Sequence, residues 1–65
     1  MRSPPSRHYP SDVLTTQECA DFLKVHRSSV YRMLARGAIP AFKVGSDWRF
    51  HKKQLIEWLE RLART

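Results

Sequence analysis

The sequence predicts a mainly α fold with a small β-hairpin: a winged helix-turn-helix of three helices plus a two-stranded wing. Three observations predict it. Two short helical stretches, 16–23 and 27–36, stand only three residues apart, which is helix-turn-helix spacing. Beyond them Pro40 stops helical structure, and two short alternating runs flank Gly45, Ser46 and Asp47 as strands flank a hairpin turn. An amphipathic helix over 52–63 closes the chain.

The first helix has a start signal. Thr15 followed by Glu18 is a capping box, which satisfies two amides left without partners at a helix start. Leu14 stands just before it, placed to staple onto Cys19 or a neighbour one turn in. Cys19, Phe22 and Leu23 then recur at helical spacing as an apolar face. Glu18 and Asp21 lie toward the positive end, which the helix dipole favours. Lys24, Val25 and His26 make the turn.

Gly37 ends the second helix. At about 100 degrees per residue, Val30, Met33 and Leu34 form one apolar stripe. Ser28, Ser29, Arg32 and Arg36 fall opposite, with Arg27 and Tyr31 on the border. His26 occupies the N-cap position, where Ser or Thr would cap better. Either Ser28 or Ser29 takes over the capping, or His26 is kept because it faces a ligand; the sequence does not choose.

The strands are expected at 41–44 and 48–50, with 45–47 as the turn. Alternation puts Phe42 and Val44 on one face opposite Lys43, and Trp48 and Phe50 opposite Arg49. The expectation is therefore an apolar face packed on the helices, with Lys43 and Arg49 side by side facing out. A two-stranded hairpin needs such packing to persist. On the last helix Leu55, Ile56, Trp58, Leu59 and Leu62 form a wide stripe, expected to close the core against the wing and first helix.

With 65 residues the chain holds one domain. It divides into a flexible N-terminal arm over 1–12 and the winged domain over 13–65. The arm carries Pro4, Pro5 and Pro10 with Arg2 and Arg7. It reads either as an untethered terminus or as a basic arm reaching a minor groove. The net charge is +6, but the distribution says more. From Lys24 to Lys53 eight basic residues meet a single acid, Asp47. The middle of the chain is thus cationic and its ends are nearly neutral, the footprint of a nucleic-acid face. Hydroxyls and guanidinium groups on the outward side of the second helix suit base edges and phosphates in a major groove. A solvated amphipathic helix shows a similar pattern.

Other classes find little support. Cys19 is the only cysteine, and His8, His26 and His51 lack metal-ligand spacing. No nucleophile motif, paired carboxylates or phosphate loop occurs. No enzyme, cofactor or metal is expected, and no membrane span or signal peptide. A cytoplasmic, nucleoid-associated protein is expected.

The ordered motifs Leu14-Thr15-Thr16-Gln17-Glu18-Cys19-Ala20, Leu23 to Leu34, Gly37-Ala38-Ile39-Pro40, Val44 to Phe50 and Leu55 to Leu59 resemble the excisionase-type winged helix-turn-helix, a relative of the MerR DNA-binding domain. The resemblance covers about residues 13 to 62. It implies that the second helix enters the DNA major groove through Arg27, Ser28, Ser29, Tyr31 and Arg32, and that the wing meets DNA through Lys43, Ser46 and Arg49. His26 and Arg36 extend the reading positions; Thr16, Lys24 and Lys52 are candidate backbone contacts. Asp47 at the wing tip and His26 at the cap depart from the family pattern. The resemblance further implies an excisionase, a recombination directionality factor that binds and bends attachment-site DNA to promote integrase-mediated excision. A small MerR-like transcriptional regulator is the alternative, and a protein-interaction adaptor the second alternative. Expected partners are double-stranded DNA, a site-specific integrase and further copies assembling cooperatively on DNA. No small-molecule effector is expected.

Overall fold

The computed structural model describes residues 12–64. Apart from Asp12, the arm read over 1–12 lies outside the described residues. The order is β1 (Val13–Leu14), α1 (Thr16–Leu23), α2 (Arg27–Ala35), β2 (Phe42–Val44), β3 (Asp47–His51) and α3 (Lys52–Arg64). The winged helix-turn-helix is present, with three helices and the β2–β3 wing.

The capping box forms. Thr15 Oγ1 accepts from the Glu18 amide at 3.1 Å, and Glu18 Oε1 accepts from the Thr15 amide at 2.9 Å. Both helices of the pair end in the same motif, in which the last turn is closed by two backbone bonds and one residue turns left-handed. After α1 that residue is Lys24, at φ 60°, with Val25 N–H donating to Ala20 O at 3.0 Å and Lys24 N–H to Asp21 O at 3.2 Å. After α2 it is Gly37, at φ 64°, with Ala38 N–H donating to Met33 O at 2.8 Å and Gly37 N–H to Leu34 O at 3.0 Å. Glycine adopts this conformation freely, whereas a side chain costs about 1–2 kcal/mol. His26 at the N-cap makes no side-chain capping bond.

The sheet departs from expectation in two ways. First, it has three strands, in the order β1-β3-β2. Val13 pairs with His51 and Leu14 with Phe50, and the Lys52 amide donates to Asp12 O at 2.7 Å just beyond. The segment expected only to lead into α1 is therefore an edge strand, too short to show alternation. Second, the hairpin loop has two residues, Gly45 and Ser46, because Val44 pairs directly with Asp47. Gly45 takes φ 63° at the first central position, as type II′ loops require.

That one-residue difference overturns the expected arrangement of the wing. Directly opposed residues share a face, and a slip of one moves every side chain to the other. Lys43 opposes Trp48 and Phe42 opposes Arg49. Lys43 and Arg49 therefore lie on opposite faces rather than side by side. Two contacts agree. Lys43 Nζ sits 5.2 Å from the Trp48 ring centroid, and Phe42 stacks on His51 at 4.9 Å on the opposite face.

The core comprises Cys19, Ala20, Val30, Ile39, Phe50 and Leu55, with Leu14, Phe22, Leu23, Met33, Leu34, Ala41, Trp48 and Trp58 packed around it. The α1 face predicted from Cys19, Phe22 and Leu23 is rotated toward Ala20, which is fully buried while Phe22 and Leu23 are half-buried. The small Ala20 side chain lets neighbouring elements approach closely. Burial pushes the Cys19 thiol up from 9.0 to about 11, so it is a protonated, inert hydrophobe at neutral pH.

The expected closure by the whole α3 stripe is corrected too. Leu55 is buried and Trp58 half-buried, but Ile56, Leu59 and Leu62 are exposed, as is every residue from Leu59 to Arg64. The helix packs on β3 at its root, and its distal half stands clear of the core.

Candidate nucleic-acid interface

The fold sets α2 beside the wing tip. A shallow groove runs between them and the start of α1, lined by Gln17, Arg27, Tyr31, Ser46, Asp47 and Arg49 among others. A second depression lies on the other side of α2's first turn, where His26 and Ser28 join Gln17, Arg27 and Tyr31. The stripe of Val30, Met33 and Leu34 faces the core, and this leaves Arg27, Ser28, Tyr31 and Arg32 exposed. No acidic residue occurs within α2.

Several of these groups are held in place. Arg27 Nη1 donates to Gln17 Oε1 at 3.1 Å, and Gln17 Nε2 donates to Asp21 Oδ1 at 3.1 Å. Arg32 Nη2 donates to Ser29 Oγ at 3.1 Å, one turn back on the same helix. Ser29 is half-buried, and its hydroxyl accepts this bond. On the wing, Arg49 Nη1 donates to Trp48 O at 2.8 Å, and its Nη2 lies 3.9 Å from Asp47 Oδ2. Asp47 and Arg49 are two apart on one strand, so they share a face. The Arg49 side chain is only 18% exposed against 69% for Asp47. The carboxylate thus offsets part of the wing's positive charge at the groove.

The structure gathers some of the predicted site residues and separates others. Arg27, Tyr31, Ser46 and Arg49 meet at the groove. His26 and Ser28 flank it on the far side of α2. Arg36 is exposed just past the end of α2, and Lys24 is exposed in the turn. Lys43 is exposed on the other face of the wing from Arg49. Lys52 opens α3 with Nζ 5.6 Å from the Phe22 ring centroid. Thr16 is buried, 9% exposed, so its side chain offers little to a ligand. Gln17 and the Trp48 carbonyl are the positions that sequence reasoning missed. A polar residue in the first turn of a helix looks like any solvated one, and a carbonyl carries no sequence signal.

Comparison with known proteins agrees with the helix-turn-helix fold. A family model described as a helix-turn-helix domain matches residues 13–63. The chain belongs to that helix-turn-helix family. Two relatives, from the Mycobacterium tuberculosis strains CDC 1551 / Oshkosh and ATCC 25618 / H37Rv, each carry the name "Putative DNA-binding protein". Each is 36% identical over 50 residues, which cover 77% of this chain and 64% of the relative's own length. No solved structure matches the chain significantly. Among the described residues no helix is long and apolar enough to cross a membrane.

Proposed function

We propose that this protein binds double-stranded DNA sequence-specifically, with α2 in the major groove and the wing tip on the adjoining backbone. The observation that carries this is the acid-free outward face of α2, which exposes Arg27 and Arg32, with Arg27 lining a groove that Arg49 also lines. Arginine can bond guanine O6 and N7 in pairs, worth about 1–3 kcal/mol of discrimination per contact. The names of the mycobacterial relatives support the reading. Arg27, Ser28, Tyr31 and Arg32 read bases. Ser46 and Arg49 contact the backbone, with His26, Lys24 and Arg36 at the margins. Lys43 faces away from Arg49 and contributes through the general field of the domain. The binding is non-enzymatic.

Selection from a random duplex library, followed by gel shift across a salt series, tests this. Affinity should fall steeply with salt, by a slope of about −0.9 in log–log terms for each phosphate neutralised. Arg32→Ala should relax base preference, and Arg49→Ala should weaken all sequences alike. Unchanged selectivity in Arg32→Ala would remove α2 as the reader.

Within that reading, the protein acts as a recombination directionality factor. The resemblance of its ordered motifs to excisionase-type proteins supports this. One small domain makes a limited DNA interface, so copies assemble on repeated sites and bias an integrase toward excision. An in vitro excision assay with and without the protein decides the matter. Equal excision, with repression of a neighbouring promoter instead, assigns the protein as a transcriptional regulator.

A further inference from the structure

We propose that Gln17, outside the reading helix, is a positioning residue that holds the Arg27 guanidinium for DNA without neutralising it. This rests on the DNA-binding reading above and extends it to a residue of α1.

Gln17, Arg27 and Tyr31 line both depressions that flank the first turn of α2. Arg27 therefore stands on the ridge between them, at the first position of the helix. A long exposed side chain there would sample many rotamers. Instead its Nη1 is bonded at 3.1 Å to Gln17 Oε1, ten residues away on the other helix. The amide cannot turn round. An ionised carboxylate only accepts and a guanidinium only donates. Asp21 must therefore receive the Gln17 NH₂ group, at 3.1 Å, and the oxygen is left for Arg27. The acid orients the amide from behind, and the neutral amide separates it from the guanidinium.

The wing makes a contrast. There the carboxylate of Asp47 lies 3.9 Å from Arg49, so an approaching phosphate has a competitor. At Arg27 the anchor is uncharged. It occupies one of five N–H donors and leaves the others, with the full positive charge, for an acceptor on DNA. Fixing one rotamer-rich side chain before binding is worth about a two- to tenfold gain in affinity.

The test has an arm without DNA and an arm with it. In the free full-length protein, NMR relaxation of the Arg27 Nε–H should show restricted motion. That restriction should vanish in Gln17→Ala and persist in Gln17→Glu, which can still accept. Against the selected duplex, Gln17→Ala should lose about two- to tenfold in affinity with base preference blurred, while its melting temperature stays put. In an Arg27→Ala background the same change should have no effect. Gln17→Glu should hold the side chain yet bind DNA more weakly, because the new charge competes with it. Additive effects of Gln17→Ala and Arg27→Ala, or an Arg27 side chain equally mobile in both proteins, overturn this inference and leave the DNA-binding reading standing. A wild-type chain that retards no duplex at low salt overturns both.

Discussion

α1 and α2 have eight and nine residues, and α3 has thirteen. α1 nevertheless buries Thr16, Cys19 and Ala20, whereas α3 buries only Leu55. The α3 stripe is the wider of the two in sequence. The difference lies in what stands opposite. α1 faces α2 and β3, so small residues such as Cys19 and Ala20 are enclosed. Past Trp58, every described residue of α3 is exposed, Leu59 and Leu62 among them. An apolar stripe states which way a helix would pack if given a surface; the surface comes from topology.

Phe50→Ala is the largest test of that contrast. Phe50 is fully enclosed, and such truncations cost about 3–5 kcal/mol. A domain this small has little more than that to lose, so circular dichroism should show it mostly unfolded at 37 °C. Leu62→Ala should shift stability by less than about 1 kcal/mol in urea titration. A larger loss would mean that the distal half of α3 is covered in solution, and the comparison would break.

Gly45→Ala comes next, at about 1–2 kcal/mol. Nothing lies within 4 Å of a Cβ there, so the cost would come from φ 63° alone. A D-alanine at that position, introduced by synthesis, should restore the stability. Thr15→Ala should cost about 1 kcal/mol through the lost cap, read as a shifted urea midpoint. Lys24→Gly should go the other way and stabilise by up to about 1 kcal/mol, because it relieves the left-handed residue that Gly37 already accommodates after α2. If Lys24→Gly destabilises instead, the two helix ends are not equivalent.

An effect absent at neutral pH concerns Cys19. Its thiol titrates near 9.0 when exposed and is pushed to about 11 in the fold. The folded state holds this proton more tightly. The stability tied to it is therefore intact below about pH 9 and is lost as pH rises toward 11. Cys19→Ala should flatten that part of the stability profile. Alkylation of Cys19 at pH 8 should proceed only at the rate of opening of the domain.

Much of this was legible in the sequence where one local pattern decided the outcome. Thr15 with Glu18 marked the start of α1, Lys24 to His26 the turn, and Val30, Met33 and Leu34 the inward face of α2. The wing's existence was legible from Pro40 and the alternation on both sides of Gly45. Its register was not, because Gly45-Ser46 and Gly45-Ser46-Asp47 both make plausible loops and differ by one residue. Gly-Ser is itself a two-residue hairpin signal, and giving it priority would have placed Arg49 opposite Phe42. β1 was hidden for another reason: two residues carry no period, and only β3, more than thirty positions later, makes Val13 and Leu14 a strand. The pairing of Gln17 with Arg27 is likewise a product of the turn between two helices, which no single helix encodes.

The loop of Gly45 and Ser46 also works as a parity gate for the wing's chemistry. Adding one residue there, with a two-residue turn kept, would slip the pairing by a single step and bring Lys43 round to the face of Asp47 and Arg49. Two cations would then stand together where Arg49 and Asp47 now offset one another. The tip is therefore an economical place for a related chain to change its electrostatic imprint on a duplex, because neither helix of the reading pair need change to accomplish it.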